Sequence, residues 1–162
     1  MAESIHILEN VDKEEQYLAL LPQFEALIAN EPNLTANMAN FCAVIRTAFG
    51  HLWIGFYLVE NQELVLGPFQ GPVACTRIGF GKGVCGSAWK ERKILIVDDV
   101  NLFPGHIACS SSSKSEIVVP VFNKEEIIGV LDIDSENLAE FDKTDQLYLE
   151  KFVKLIELEF LK

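Results

Sequence analysis

Residues 116–134 read EIVVPVFNKEEIIGVLDID. Two apolar runs, Glu116 to Phe122 and Glu126 to Asp134, flank a short polar break around Asn123-Lys124. β-branched residues dominate both runs, and a break this short joins two antiparallel strands in a hairpin. A second pair lies upstream: Leu52 to Val59 and Glu63 to Phe69 surround Glu60-Asn61-Gln62. Parallel neighbours need long crossovers, so two hairpins predict an antiparallel sheet. Thr76 to Phe80 and Ile94 to Asp98 read as further short strands.

Helices are expected at both ends of the chain. Asp12 and Glu15 have capping-box spacing, and Tyr17, Leu18, Leu21, Phe24 and Ile28 follow at helical intervals. Pro22 should kink that helix or start its second half. Leu34, Met38, Phe41, Ile45 and Phe49 mark a second helix, which Gly50 ends. A short helix is expected over Val84 to Arg92, and a last one from Asp142 that buries Leu149, Phe152, Val153 and Ile156. The pattern predicts an α+β fold as one domain over residues 1–162, with helices on one sheet face and connecting loops on the other.

Composition narrows the function. The 162 residues carry 13 Lys+Arg against 24 Asp+Glu, a net charge of −11. That balance argues against nucleic acid and against anionic membranes as partners. No apolar run reaches the roughly 18 residues that span a bilayer, and Met1 to Asn10 has no Lys or Arg and no sustained apolar run. A cytoplasmic setting is expected, where thiols stay reduced and four cysteines are not structural staples.

Cys42 falls on the second helix beside Phe41 and reads as a packed apolar residue. Cys75, Cys85 and Cys109 fall in or beside loops. Three readings stay open for them: unrelated surface thiols, a zinc site with His106, or a nucleophile with resolving thiols. Zinc is poorly matched, because no CxxC pair is present. Gly81 to Gly86 fits GxGxxG, but the antiparallel surroundings favour a plain glycine turn over nucleotide binding. Cys85 lies in the first turn of the helix that follows, where backbone N–H groups favour a thiolate. Period two puts Asp132 and Asp134 on one strand face, with Glu116 opening the neighbouring strand. Like charges brought together raise one another's pKa, which suits proton donation. The same period puts Trp53 and Tyr57 on one face, as core or as pocket wall.

Several blocks together resemble the free methionine-(R)-sulfoxide reductases, whose fold is a GAF domain. They are Gly67-Pro68-Phe69-Gln70-Gly71, Cys75, Gly83-Val84-Cys85-Gly86, Phe103-Pro104-Gly105-His106-Ile107-Ala108-Cys109, Ser115 to Pro120, and Gly129 to Ser135. The resemblance implies Cys109 as the catalytic cysteine, with Cys85 and Cys75 as resolving cysteines. It implies Glu116, Asp132 and Asp134 as the acids of the substrate pocket, and Trp53 and Tyr57 as holders of the substrate's methyl end. The implied reaction is thiolate attack on the sulfoxide sulfur of free methionine-(R)-sulfoxide, with Glu116 holding or protonating its oxygen. Sulfenic acid at Cys109 and a disulfide to Cys85 or Cys75 follow, and thioredoxin reopens it. No metal or organic cofactor is needed. Homodimerisation through the terminal helices is left open. The competing expectation is a GAF-type binding or redox-sensing module without turnover.

Overall fold

The computed structural model describes residues 4–107 and 109–160. The other positions of the expected 1–162 domain, and Ala108 of the loop motif, lie outside the described residues. The elements run α1 (Lys13–Ile28), α2 (Leu34–Phe49), β1 (Trp53–Glu60), β2 (Glu63–Gln70), β3 (Arg77–Gly79), α3 (Gly83–Glu91), β4 (Leu95–Val97), a single 3-10 turn (Val100–Leu102), β5 (Ser115–Asn123), β6 (Glu126–Ser135) and α4 (Lys143–Phe160). The architecture is α+β. Among the described residues six strands form one sheet in the order β3-β2-β1-β6-β5-β4, with antiparallel neighbours throughout. Among the described residues no helix is long and apolar enough to cross a membrane.

The expected hairpins form, and their turns show why. Asn61 and Gln62 adopt φ of 49° and 67°, the left-handed pair that matches the twist of the strands they join. The second turn sits one residue later than expected, with Asn123 opposite Glu126 and Lys124 at φ 58°.

Asp12 caps α1 through the capping box: its side chain accepts from Glu15 N–H, and Glu15 accepts from Asp12 N–H. Pro22 does not divide α1, which is one continuous helix with Pro22 inside. The carbonyl that Pro22 leaves without an N–H belongs to Leu18, which is 53% exposed, so water can serve it. That exposure also corrects the expected apolar face: Leu20, not Leu18, joins Tyr17, Phe24 and Ile28 in the core. Asp145 sets the docking of α1 on α4, accepting from Lys13 Nζ at 2.6 Å and Tyr17 OH at 2.9 Å.

The two sheet faces carry different cores. α1, α2 and α4 cover one face over Ile54, Phe56, Ile117, Val119, Leu131 and Ile133. The other face bears Trp53, Tyr57, Val118 and Val130. It is not covered by loops alone, as the sequence suggested: α3 packs there through Val84, Cys85 and Ala88. The glycine turn makes that approach close. Gly81 and Gly83 take φ of 72° and 60°, and a Cβ on Gly86 would lie 2.5 Å from the Gly79 carbonyl oxygen.

Candidate active site

Strand register assembles the site. Trp53 on β1 pairs with Asp134 on β6, Asp134 with Glu116 on β5, and Glu116 with Val97 on β4. One row over, Gly55 pairs with Asp132, and Asp132 with Val118. Side chains at alternate positions share a face, so this register collects Trp53, Tyr57, Glu116, Asp132 and Asp134 on the α3 side. Cys85 reaches the same place from α3, and Cys109 from the loop before β5. All seven residues line a single pocket, to which the exposed Ile107 and Val73 also contribute. Cys75 is adjacent, bonded to Cys109 in a disulfide with a Cα–Cα distance of 5.4 Å. Among the described residues Cys42 and Cys85 are the free cysteines, both buried.

Trp53 and Tyr57 form the aromatic wall. Their rings stack at 5.8 Å, and Phe69 stacks on Trp53 at 5.5 Å. Their polar ends are not idle: Trp53 Nε1 donates to the Pro72 carbonyl at 3.1 Å, and Tyr57 OH donates to the Cys75 carbonyl at 2.9 Å. The wall therefore also holds the loop that carries Cys75. Gly55 lies between the two rings because nothing larger fits: a Cβ there would sit 2.3 Å from Trp53 Cη2 and 2.5 Å from Phe69 Cβ. Gly55→Ala is expected to displace the indole and cost about 1–3 kcal/mol. Urea unfolding and the Trp fluorescence of the folded protein would report it; wild-type values in both would remove this role from Gly55.

The acids are held in an unusual state. Glu116 and Asp132 are each 6% exposed. Burial first, and then the neighbouring carboxylates Asp132 and Asp134, push Glu116 far above the ordinary carboxylate range. Burial and Asp134 do the same to Asp132. Asp134 is raised by burial to about 6, while the Ser113 hydroxyl that donates to its Oδ1 pulls the other way. Asp132 Oδ1 is buried with no hydrogen-bond partner among the described residues. It can accept from a donor group that enters the pocket.

Cys85 departs from the sequence reading. Burial and the carboxylates of Asp132 and Glu116 push its thiol well above the ordinary value, outweighing the helix N-terminus. The neutral thiol donates to Glu116 Oε1 at 3.7 Å. Cys42 is the packed residue expected, its thiol pushed by burial to about 12. His106 lines the pocket but makes no zinc cluster with the cysteines; the described Cys/Asp/Glu group of metal-binding spacing is Cys85, Glu116 and Asp132. Ser113 was not legible as a site residue. It is one of several serines in its loop, and only the fold sets it against Asp134.

Asp134 makes stability depend on pH. Its folded pKa of about 6 exceeds the ordinary 3.8, so the folded chain binds more protons between those values. Stability from this group therefore rises as pH falls from about 6 towards 4 and is absent at neutral pH. His51, buried and lowered to about 4, works oppositely: its contribution is present above about 6.5 and is lost as pH falls. Asp134→Asn is expected to stabilise the protein more at pH 7 than at pH 4.5, as urea unfolding at the two values would show. An equal effect at both would remove the raised carboxyl.

The chain is similar to known proteins in both sequence and fold. The GAF domain family model matches residues 33–158. GAF domain-containing protein A of Dictyostelium discoideum is 56% identical over 97% of this chain and 99% of its own. The free methionine-R-sulfoxide reductase of Escherichia coli is 45% identical over 91% of this chain and 90% of its own. The crystal structure of a free methionine-R-sulfoxide reductase from Neisseria meningitidis in complex with its substrate superposes with a TM-score of 0.96 at 53% identity, covering 99% of this chain and 96% of that one.

Proposed function

The chain belongs to the GAF domain family, among the free methionine-R-sulfoxide reductases, and from that premise we propose that it reduces free methionine-(R)-sulfoxide to methionine through Cys109. The observation that carries this reading is one pocket shared by Cys109, the aromatic wall and three acids.

The methyl end of the substrate lies against Trp53 and Tyr57. Its ammonium enters among Glu116, Asp132 and Asp134, where the unpartnered Asp132 Oδ1 accepts from it. A peptide-bound residue has no such ammonium, so the acids favour the free amino acid. Cys109 as thiolate attacks the sulfoxide sulfur while Glu116, whose burial and acidic neighbours favour its protonated form, gives a proton to the oxygen. The sulfoxide gains two electrons and leaves as the thioether methionine; Cys109 loses two and becomes a sulfenic acid. A second thiol condenses with that sulfenic acid, releasing water and closing a disulfide. The Cys75–Cys109 bond supports Cys75 in this role, whereas Cys85 is engaged with Glu116. An external dithiol protein of the thioredoxin type then returns both sulfurs to thiols. A cytoplasmic setting, a homodimer and one GAF domain over residues 1–162 go with this reading.

The test is racemic free methionine sulfoxide with the reduced protein and dithiothreitol. Product is expected to plateau near half conversion, with the S epimer left over. No turnover, with the disulfide forming and opening normally, would favour a redox sensor instead.

A further inference from the structure

The thiol of Cys85 and the carboxyl groups of Glu116 and Asp132 form a compact set that contains neither sulfur of the Cys75–Cys109 disulfide. One ligand atom from each lies within 4.8 Å of the others, and all three residues are buried and line the pocket. A sulfur at about 2.3 Å and an oxygen at about 2.0 Å from one tetrahedral zinc ion stand about 3.5 Å apart. Cys85 Sγ and Glu116 Oε1 stand 3.7 Å apart. The spacing is thus nearly that of two zinc ligands before any metal arrives. Asp132 adds a second sign: it belongs to the same group, and its buried Oδ1 has no hydrogen-bond partner among the described residues.

We infer that Cys85, Glu116 and Asp132 bind a thiophilic divalent cation, with zinc the best match, in the space otherwise taken by the ammonium of the amino acid. One thiolate and two carboxylates suit zinc better than magnesium or calcium, which take oxygen alone. Binding replaces the S–H bond of Cys85 with a sulfur–metal bond and releases that proton to solvent, together with any proton held on Glu116 or Asp132, so that all three bind as anions. Three protein ligands leave a fourth position open to the pocket, where water completes the tetrahedron. This differs from the zinc site weighed from the sequence, which used Cys75, Cys109 and His106. Here the metal is held without either sulfur of the disulfide. The metal site stands on this geometry alone, and only its exclusion of the substrate rests on the reductase reading.

The oxidised protein isolates the question, since its Cys75–Cys109 bond leaves Cys42 and Cys85 as the free thiols among the described residues. Cobalt(II), a spectroscopic stand-in for zinc, is titrated into it. A thiolate-to-cobalt charge-transfer band is expected and should bleach when zinc is added. Cys85→Ala should abolish the band, Cys42→Ala should keep it, and Asp132→Asn should weaken binding at least about ten-fold. Near-ultraviolet circular dichroism establishes that each variant is folded. No band in the wild type, or a band that survives in Cys85→Ala, overturns the site. Methionine is then expected to bleach the band well beyond glycine, an equal chelator in free solution. Equal bleaching overturns the shared occupancy. Failure of the reductase reading shows separately, as absent turnover in the racemic assay.

Discussion

Cys109→Ser is expected to cut turnover of free methionine-(R)-sulfoxide by at least about a thousand-fold, because an alcohol at neutral pH is a far weaker nucleophile than a thiol. The loss should lie in kcat, with substrate binding largely kept, since the aromatic wall and the acids remain. Intact-protein mass spectrometry adds a readout that no folding defect mimics. The reduced wild type, mixed with one equivalent of substrate, should lose two hydrogens as Cys75 and Cys109 join. Cys75→Ser should stop one step earlier, with a sulfenic acid at Cys109 that a cyclic diketone traps. Cys85→Ala should still form the crosslink, because Cys85 is hydrogen-bonded to Glu116 and outside the disulfide. Substantial turnover by Cys109→Ser would falsify the role of that sulfur.

Glu116→Gln is the second large effect. The amide keeps the shape of the side chain but cannot give up a proton to the sulfoxide oxygen, so kcat should fall by about 10²–10⁴-fold. The same change relieves a buried acid that two other carboxylates crowd. Stability at neutral pH should therefore rise while activity falls, and that opposition separates a chemical role from a structural one. Urea unfolding and steady-state kinetics on one preparation measure both. Loss of activity together with loss of stability would make Glu116 a packing residue.

The fold was largely legible because its signals are local. Hairpins announced themselves by short polar breaks between β-branched runs, and α4 by Leu149, Phe152, Val153 and Ile156 at helical spacing, all of which are buried. Errors came where tertiary context chose among near-equal options. Leu18 and Leu20 are both leucines on α1, and only docking against α2 and α4 buries the second. α3 was expected as a helix, yet its place on the loop-bearing face depended on glycines that let backbones approach within a Cβ radius.

The candidate residues of the site were identifiable from residue types and from the resemblance to a family of known chemistry. Their states were not. Local sequence placed Cys85 at a helix N-terminus and implied a thiolate, whereas the pocket surrounds it with acids and keeps it neutral. Ser113 carried no signal at all until the fold set it beside Asp134.

By itself the amino-acid order determined the strands, the helices, which side chains share a sheet face, and a chain of GAF type. Periodicity and turn chemistry act over a few residues, so they are written locally. Only the tertiary structure decided which sulfurs join, which carboxyls are pushed up and which buried oxygen lacks a partner among the described residues. Those properties depend on desolvation and on charges brought together from β1, β5, β6 and α3, distances that no single segment encodes.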